Sequence, residues 1–251
     1  MPLKIRYKAI IEYAGTHFYG WQIQKNQRTV QEEIYKLLKQ VFNIKRLPRA
    51  AGRTDAGVHA EYQVIDFDLD IDIQPAKLKE IMNSKLPIDI GVKEIEYAHP
   101  EFDSRRDAIS RTYEYRIKRC DYQSPFLKDR FHFVRDELDI KKLNGISQVF
   151  RGEHNFKAFS VTGTKTETYI RKVKEIEWFV KNNDTIIFRI TADAFLRKMA
   201  RLIISGIFML YYNKISLEEI KNMLISGKRS KNITPYWPHG LYLVDIRYKN
   251  E

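Results

Sequence analysis

The sequence contains very little cysteine, since Cys120 is the only one in 251 residues. A single cysteine excludes an intrachain disulfide and a cluster of thiolate metal ligands. The six histidines never fall at a metal-ligand spacing such as HExxH, and no GxxxxGK[ST] phosphate loop occurs. We therefore expect neither a structural metal site nor a P-loop nucleotide site.

Long apolar runs are also missing. The longest candidate, residues 202–212, falls short of the roughly 18 residues that a membrane-spanning helix needs. The first residues interleave Lys and Arg with apolar side chains and lack the apolar core of a signal peptide. We expect a cytoplasmic protein, neither membrane-bound nor secreted.

Positive charge is abundant and unevenly placed. Lys and Arg number 44 against 32 Asp and Glu, for a net charge of +12. Residues 101–251 carry 29 basic and 19 acidic side chains, whereas residues 1–100 carry 15 and 13. Clustered Lys and Arg favour a polyanionic partner such as a nucleic acid. A basic surface without such a partner is the alternative.

The hydrophobic pattern predicts a mixture of strands and helices. Alternation predicts strands over residues 5–13, 63–70, 92–98, 111–119, 173–180, 185–191 and 241–248. Capping boxes at Thr29–Glu32 and Ser216–Glu219 predict two helix starts, and further helices are expected from Pro75, over 140–150 and over 195–212. Consecutive strands favour the α+β class with a largely antiparallel mixed sheet. We divide the chain into two α/β subdomains that share this sheet, residues 1–105 and a basic 106–251.

The densest chemical signal is the segment 51–60, AGRTDAGVHA, directly before a predicted strand. Glycines allow close backbone approach, and an acid between them is presented at a loop tip, where catalytic groups are often placed. Arg53 could bind a phosphate or keep the Asp55 carboxylate ionised. The alternative is an ordinary turn, because Thr and Asp are common turn residues.

Residues 52–60, GRTDAGVHA, resemble the signature of the TruA family of tRNA pseudouridine synthases. The resemblance continues in family order through segments 13–22, 83–90, 102–115, 150–159, 195–201 and 240–243. Ala14, Ala200 and the run 234–240, TPYWPHG, depart from the commoner family pattern. The resemblance implies the pseudouridine synthase fold, with a central RNA-binding cleft between the two subdomains.

The resemblance also implies an activity. Family members isomerise uridine to pseudouridine without cofactor or metal, breaking the N1–C1′ bond and rejoining the base through C5. Bacterial-type members act at positions 38, 39 and 40 of the tRNA anticodon stem-loop and are homodimers. By this resemblance Asp55 is the catalytic aspartate, Arg201 its partner, and Tyr113 the residue that packs on the target base and helps to remove the C5 proton.

Other residues would bind the substrate. A stacked uridine must be flipped out to reach a buried aspartate, and Arg53 would fill the vacated space or hold a flanking phosphate. Leu241 and Leu243 would wall the pocket, and His59 would support the loop or serve only as a core histidine. Basic residues in the matching segments are candidates for RNA contact, namely Arg105, Arg106, Arg111, Arg197 and Lys198.

Two rival functions remain open from the sequence. One is a non-catalytic RNA-binding protein on the same fold, although an acid beside a polyanion then lacks a chemical reason. The other is a hydrolase or glycosylase that uses Asp55 on a nucleobase. Release of free uracil would distinguish the second rival from isomerisation.

Overall fold

The computed structural model describes residues 4–161, 166–182 and 184–249. The chain divides into two compact units, Met1–Ile109 with Leu243–Glu251, and Ser110–Tyr242. The end of the chain therefore returns to the first unit. The subdomain boundary at residue 105 stays a prediction.

The first unit is built on a sheet in the order β4-β1-β3-β10, with β2 beside β3. The strands are β1 (Ile5–Tyr13), β2 (Arg49–Ala50), β3 (His59–Leu69), β4 (Ile90–Tyr97) and β10 (Leu241–Tyr248), the last belonging to this unit from Leu243 onward. Two helices, α1 (Val30–Phe42) and α2 (Pro75–Lys85), complete it. Proline is the first residue of α2, where its missing N–H breaks no helical hydrogen bond.

Strand β3 is buried along both faces. Gln63, Ile65 and Phe67 are buried as the alternation predicts, but Val64 and Asp66 on the other face are buried as well. The strand face that carries Asp66, Asp68 and Asp70 is thus only partly solvated. A buried carboxylate needs partners inside the protein, and Asp66 has one in Arg49 of β2.

The second unit contains a sheet in the order β5-β9-β8-β7, with β6 beside β5. Its strands are β5 (Ala108–Arg119, from Ser110 onward in this unit), β6 (His132–Val134), β7 (Gly152–Asn155), β8 (Ile170–Asn182) and β9 (Thr185–Ala192). Its helices are α3 (Ile140–Ser147), α4 (Met199–Tyr211) and α5 (Leu217–Ser226). The predicted hairpin forms as β8 and β9, while residue 183 of its turn lies outside the described residues.

Strand pairing is antiparallel between β1 and β3, β1 and β4, β2 and β3, β5 and β9, β7 and β8, and β8 and β9, and parallel between β5 and β6. The predicted α+β class with a largely antiparallel, mixed sheet is therefore confirmed. Among the described residues, no helix combines the length and hydropathy needed to cross a bilayer.

Helix α4 begins later than the sequence predicts. The apolar pattern from residue 195 suggested one helix, but Lys198 has a left-handed backbone with φ of 63° and α4 starts at Met199. A left-handed residue cannot continue a right-handed α-helix. Arg197 and Lys198 therefore lie in the turn before α4, and the predicted helix start at residue 195 is wrong by four residues.

The two predicted capping boxes have opposite outcomes. At α5 the Glu219 N–H donates to Ser216 Oγ at 3.1 Å, and the Ser216 N–H donates to Glu219 Oε2 at 2.8 Å, so this box is confirmed. At α1 the Thr29 side chain caps nothing. Thr29 is fully buried, and its hydroxyl has no hydrogen-bond partner among the described residues. The prediction of a capping box at Thr29–Glu32 is therefore wrong, although α1 does begin directly after Thr29.

This contrast gives the first prediction. Ser216→Ala should lower the free energy of unfolding by about 1 kcal/mol, since it removes a formed N-cap. Thr29→Val keeps the shape of the side chain and removes only a buried, unpartnered hydroxyl, so it should be neutral or stabilising. Chemical denaturation measures both changes. A loss above about 1 kcal/mol in Thr29→Val would mean that the hydroxyl has a partner.

Candidate active site

Asp55 lies in the loop between β2 and β3, with its side chain half-buried. The Val58 N–H donates to the Asp55 carbonyl at 3.1 Å and closes a turn. Gly57 within this turn has φ of 77°, a backbone conformation that side chains disfavour. Of the two glycines in the motif, Gly57 is therefore the one that this turn requires.

Backbone hydrogen bonds from the N-terminal loop fix the Asp55 loop on both sides. The Trp21 N–H donates to the Thr54 carbonyl at 3.1 Å, and the Gly57 N–H donates to the Phe18 carbonyl at 3.2 Å. Thr54 and Gly57 flank Asp55 in the chain. The carboxylate is therefore carried by a loop whose backbone has little freedom to move.

Two glycines allow this close approach. A Cβ on Gly15 would overlap the Val58 carbonyl, and a Cβ on Gly20 would lie 2.5 Å from the Thr54 carbonyl oxygen. His59 also supports the loop, since it is 1% exposed and its Nδ1 accepts from the Gly15 N–H at 3.0 Å. The sequence left the role of His59 open, and the structure places it in the packing behind the Asp55 loop.

Buried polar side chains of β1 and β3 form hydrogen bonds to the Asp55 loop. The Tyr13 hydroxyl lies 2.8 Å from Thr54 Oγ1, and burial raises the pKa of Tyr13 to about 12. Tyr13 therefore stays protonated at neutral pH and remains hydrogen-bonded. Gln63 Nε2 donates to the Gly52 carbonyl at 2.6 Å, which fixes the start of the same loop.

Arg53 and Arg105 lie close together in the first unit, and both are exposed. Partial burial of the guanidinium and the positive charge of Arg105 lower the pKa of Arg53 below its ordinary value. Two neighbouring cations repel each other, and an anion that contacts both would relieve this repulsion. A phosphate group suits such a pair.

The loop that carries Arg105 is held by Asp103. Its Oδ1 accepts from the backbone N–H groups of Arg105 and Arg106 at 3.0 and 2.9 Å, and Arg49 Nη1 donates to Oδ2 at 2.7 Å. Burial alone would raise the pKa of Asp103, but these N–H groups and the Arg49 charge lower it. The Arg106 guanidinium also pairs with Asp103 at 3.1 Å, so part of its charge is neutralised internally.

Tyr113 lies on β5 in the second unit and is 6% exposed. Its ring meets the edge of Phe195 with centroids 4.9 Å apart. Arg111, expected at an RNA-contacting surface, is 7% exposed, and its Nη1 donates to the Asp193 carbonyl at 2.8 Å. Most of the Arg111 side chain is thus hidden from solvent, and its contact with RNA stays a prediction.

Arg201 lies in the first turn of α4. Its Nε donates to the Tyr236 carbonyl at 2.6 Å, and the Tyr236 N–H donates to the Arg201 carbonyl at 3.1 Å. Leu241 is 3% exposed in the second unit, and Leu243 is fully buried in the first. The predicted catalytic residues are thus distributed over both units, with Asp55 in the first and Tyr113 and Arg201 in the second.

The sequence reasoning missed His132. This residue opens β6, and its Nε2 lies 2.9 Å from the Tyr236 hydroxyl. Burial and the nearby His239 lower the pKa of His132 to about 4. In the sequence, the run 234–240 stood out only as a departure from the family pattern, and nothing in it indicated that Tyr236 contacts His132. The described residues include no group of three or more His, Cys, Asp or Glu that could hold a metal ion.

His132 gives the second prediction. Its pKa is about 6.5 in the unfolded chain and about 4 in the folded one. Its contribution to stability is therefore complete above pH 6.5 and is lost as the pH falls toward 4, with a loss approaching about 3 kcal/mol. Denaturation at a series of pH values should show this slope, and His132→Gln should flatten it. An unchanged slope between pH 6.5 and 4.5 in the variant would contradict the assignment.

An acid on a fixed loop, two residues from the exposed Arg53, on a chain of net charge +12, is a combination typical of enzymes that act on a polyanion. The family model described as tRNA pseudouridine synthase matches residues 9–105 and 146–249. The chain belongs to the tRNA pseudouridine synthase family, whose members are isomerases. The family and the isomerase class predicted from the sequence are confirmed.

Relatives match over nearly the whole chain. A tRNA pseudouridine synthase A of Listeria welshimeri is 36% identical over 246 residues, which are 97% of this chain and 99% of the relative. One from Clostridium botulinum is 35% identical over 241 residues, covering 96% and 98%. A solved structure, the archaeal box H/ACA sRNP Nop10-Cbf5 complex, shares 12% identity with a TM-score of 0.37, over 81% of this chain and 43% of that chain.

Proposed function

We propose that this protein isomerises uridine to pseudouridine at positions 38, 39 or 40 in the anticodon stem-loop of tRNA, with Asp55 as the catalytic carboxylate. The observation that carries the proposal is the Asp55 loop. Hydrogen bonds on both sides of Asp55 hold its backbone, and Arg53 lies two residues away. An acid on an RNA-binding surface repels phosphate, so its presence there needs a chemical reason.

The reaction needs no external reagent. The N1–C1′ bond breaks, the uracil turns and a C5–C1′ bond forms; C5 then loses its proton and N1 gains one, so that the product is an isomer of the substrate. Asp55 acts at the ribose, either as nucleophile or as base. A fixed loop suits both roles because the reacting atoms must be held near their attack geometry.

Arg201 and Tyr113 complete the proposed machinery. Arg201 supplies a planar cation for the Asp55 carboxylate, in agreement with the family motif at residues 195–201. Tyr113 stacks on the flipped base, a contact worth roughly 1–3 kcal/mol, and its hydroxyl assists removal of the C5 proton. Leu241 and Leu243 wall the pocket.

RNA binding is assigned to exposed cations. Arg53 and Arg105 together hold a phosphate near the flipped uridine, and Arg53 fills the space that the base leaves. Arg106 and Arg197 are exposed and Lys198 is half-buried, and we assign each of them a contact with an RNA phosphate. By family resemblance we also propose a cytoplasmic homodimer that binds one tRNA across both subunits.

Asp55→Asn tests the catalytic assignment. Pseudouridine formation should fall by about a thousandfold or more, while tRNA affinity changes little because phosphate contacts supply most of it. Single-turnover assays with purified tRNA measure the rate, and filter binding measures the affinity.

Asp70→Asn is the matched control, since Asp70 is an exposed carboxylate of the same unit, and it should keep the full rate. Full pseudouridine formation in Asp55→Asn would refute the role of Asp55, whereas tRNA binding without pseudouridine formation in the wild type would favour the non-catalytic RNA-binding protein. Free uracil as the wild-type product would favour a glycosylase.

Arg105 and Arg106 form a matched pair for RNA binding. Arg105→Gln should weaken tRNA binding and reduce the slope of log K against log salt by about 0.7–0.9, the value of one phosphate contact. Arg106→Gln should change the slope less, because Asp103 already pairs with that guanidinium. Equal slopes for Arg105→Gln and wild type would move the phosphate site away from Arg105.

A further inference from the structure

The segment between α5 and β10 contains Tyr236, which is joined to Arg201 by a reciprocal pair of hydrogen bonds. Arg201 Nε donates to the Tyr236 carbonyl, and the Tyr236 N–H donates to the Arg201 carbonyl. Arginine has a long side chain with many rotamers, and a bond at Nε fixes the direction in which the guanidinium points. The position of the Tyr236 backbone therefore sets the direction of the Arg201 side chain.

The Tyr236 side chain anchors this backbone at three points. Its ring stacks on Phe208 of α4, with centroids 5.0 Å apart and planes at 18°. It meets Tyr115 at 5.6 Å and 67°. Its hydroxyl lies 2.9 Å from His132 Nε2. Phe208 lies two helical turns after Arg201 on the same face of α4. Tyr236 therefore contacts this face twice, at Arg201 through its backbone and at Phe208 through its ring.

Tyr115 borders the same arginine. Burial and Tyr236 raise the pKa of Tyr115 well above its ordinary value, and the positive charge of Arg201 opposes this rise. Tyr115 is fully buried. Arg201 thus lies among aromatic side chains that are themselves packed inside the second unit, where neighbouring atoms restrict movement.

We infer that Tyr236 is a positioning residue for Arg201 and that His132 and Phe208 hold it in place. The inference rests on the proposed function, in which Arg201 orients the Asp55 carboxylate. Tyr236 acts only through Arg201 and contacts no reacting atom. Since misplacement by about 1 Å can lower a rate a hundredfold, a loosened Arg201 should slow the chemical step and leave tRNA binding intact.

Two substitutions of Tyr236 change its side-chain contacts and leave its backbone hydrogen bonds with Arg201 available. Tyr236→Ala removes all three anchors and should lower the single-turnover rate at saturating tRNA by about 10- to 100-fold, with tRNA affinity within about threefold of wild type. Tyr236→Phe keeps the ring contacts with Phe208 and Tyr115, so it should recover most of the rate. A rate-specific loss that the conservative variant reverses supports the inference.

A stability control excludes a merely structural effect. Ile220→Val removes one methylene group from a fully buried position in α5, and it should lower the melting temperature without changing the rate. Where Tyr236→Ala does not fold, Tyr236→Leu carries the test, because it keeps an apolar side chain but loses the ring stacking and the hydroxyl contact, and it should show the same loss of rate.

The decisive measurement is a double-mutant cycle with Arg201→Lys. If Tyr236 acts through Arg201, adding a Tyr236 substitution to Arg201→Lys should cost at most about twofold more in rate. Fully additive losses, or a Tyr236→Ala loss confined to tRNA affinity, would overturn the inference. A normal rate in Arg201→Lys would instead refute the role proposed for Arg201, and a normal rate in Asp55→Asn would refute the proposed function.

Discussion

The first unit depends on a carboxylate buried in its sheet. Asp66 on β3 is 2% exposed; Arg49 Nε donates to its Oδ2 at 2.8 Å, and the Ser104 N–H donates to its Oδ1 at 2.9 Å. A buried charge is tolerated only where such partners satisfy it. Arg49 also reaches Asp103, which orders the backbone of Arg105. One strand residue thus influences where the exposed Arg105 is presented, and a surface property of the protein has its origin in the core.

Much of the fold could be predicted from local patterns. Strands β1 and β10 have the predicted bounds because alternating residues record which face is buried. Local patterns failed where tertiary structure decides the outcome. Asp66 alternates as a solvent-facing residue but is buried, because its strand is covered on both faces. Thr29 stands in a capping motif, but its buried hydroxyl has no hydrogen-bond partner among the described residues. The start of α4 was missed because the left-handed backbone of Lys198 leaves no trace in the apolar pattern.

In the candidate site, too, local motifs could be predicted from the sequence and long-range contacts could not. The GRTDAGVHA motif identified Asp55 as the reacting group proposed above, but it could not show what holds the loop. Trp21 and Gly15 support that loop from a segment more than thirty residues earlier in the chain, and such long-range contacts have no local signature. The role of Tyr236 could not be predicted for the same reason, because its contacts with Arg201 and His132 join segments that are far apart in the chain.

The return of the chain to the first unit has a consequence for biosynthesis. Strand β10 lies beside β3, yet residues 70–240, which include all but the last two residues of the second unit, are translated between these two strands. At about 5–20 residues per second, the ribosome needs on the order of ten seconds to make that insertion. Throughout this time the edge of β3 that pairs with β10 has no partner strand. The second unit is one continuous segment and can fold as it emerges from the ribosome. The unit made first is therefore the last to be completed, and the nascent chain carries an open strand edge that invites wrong pairing.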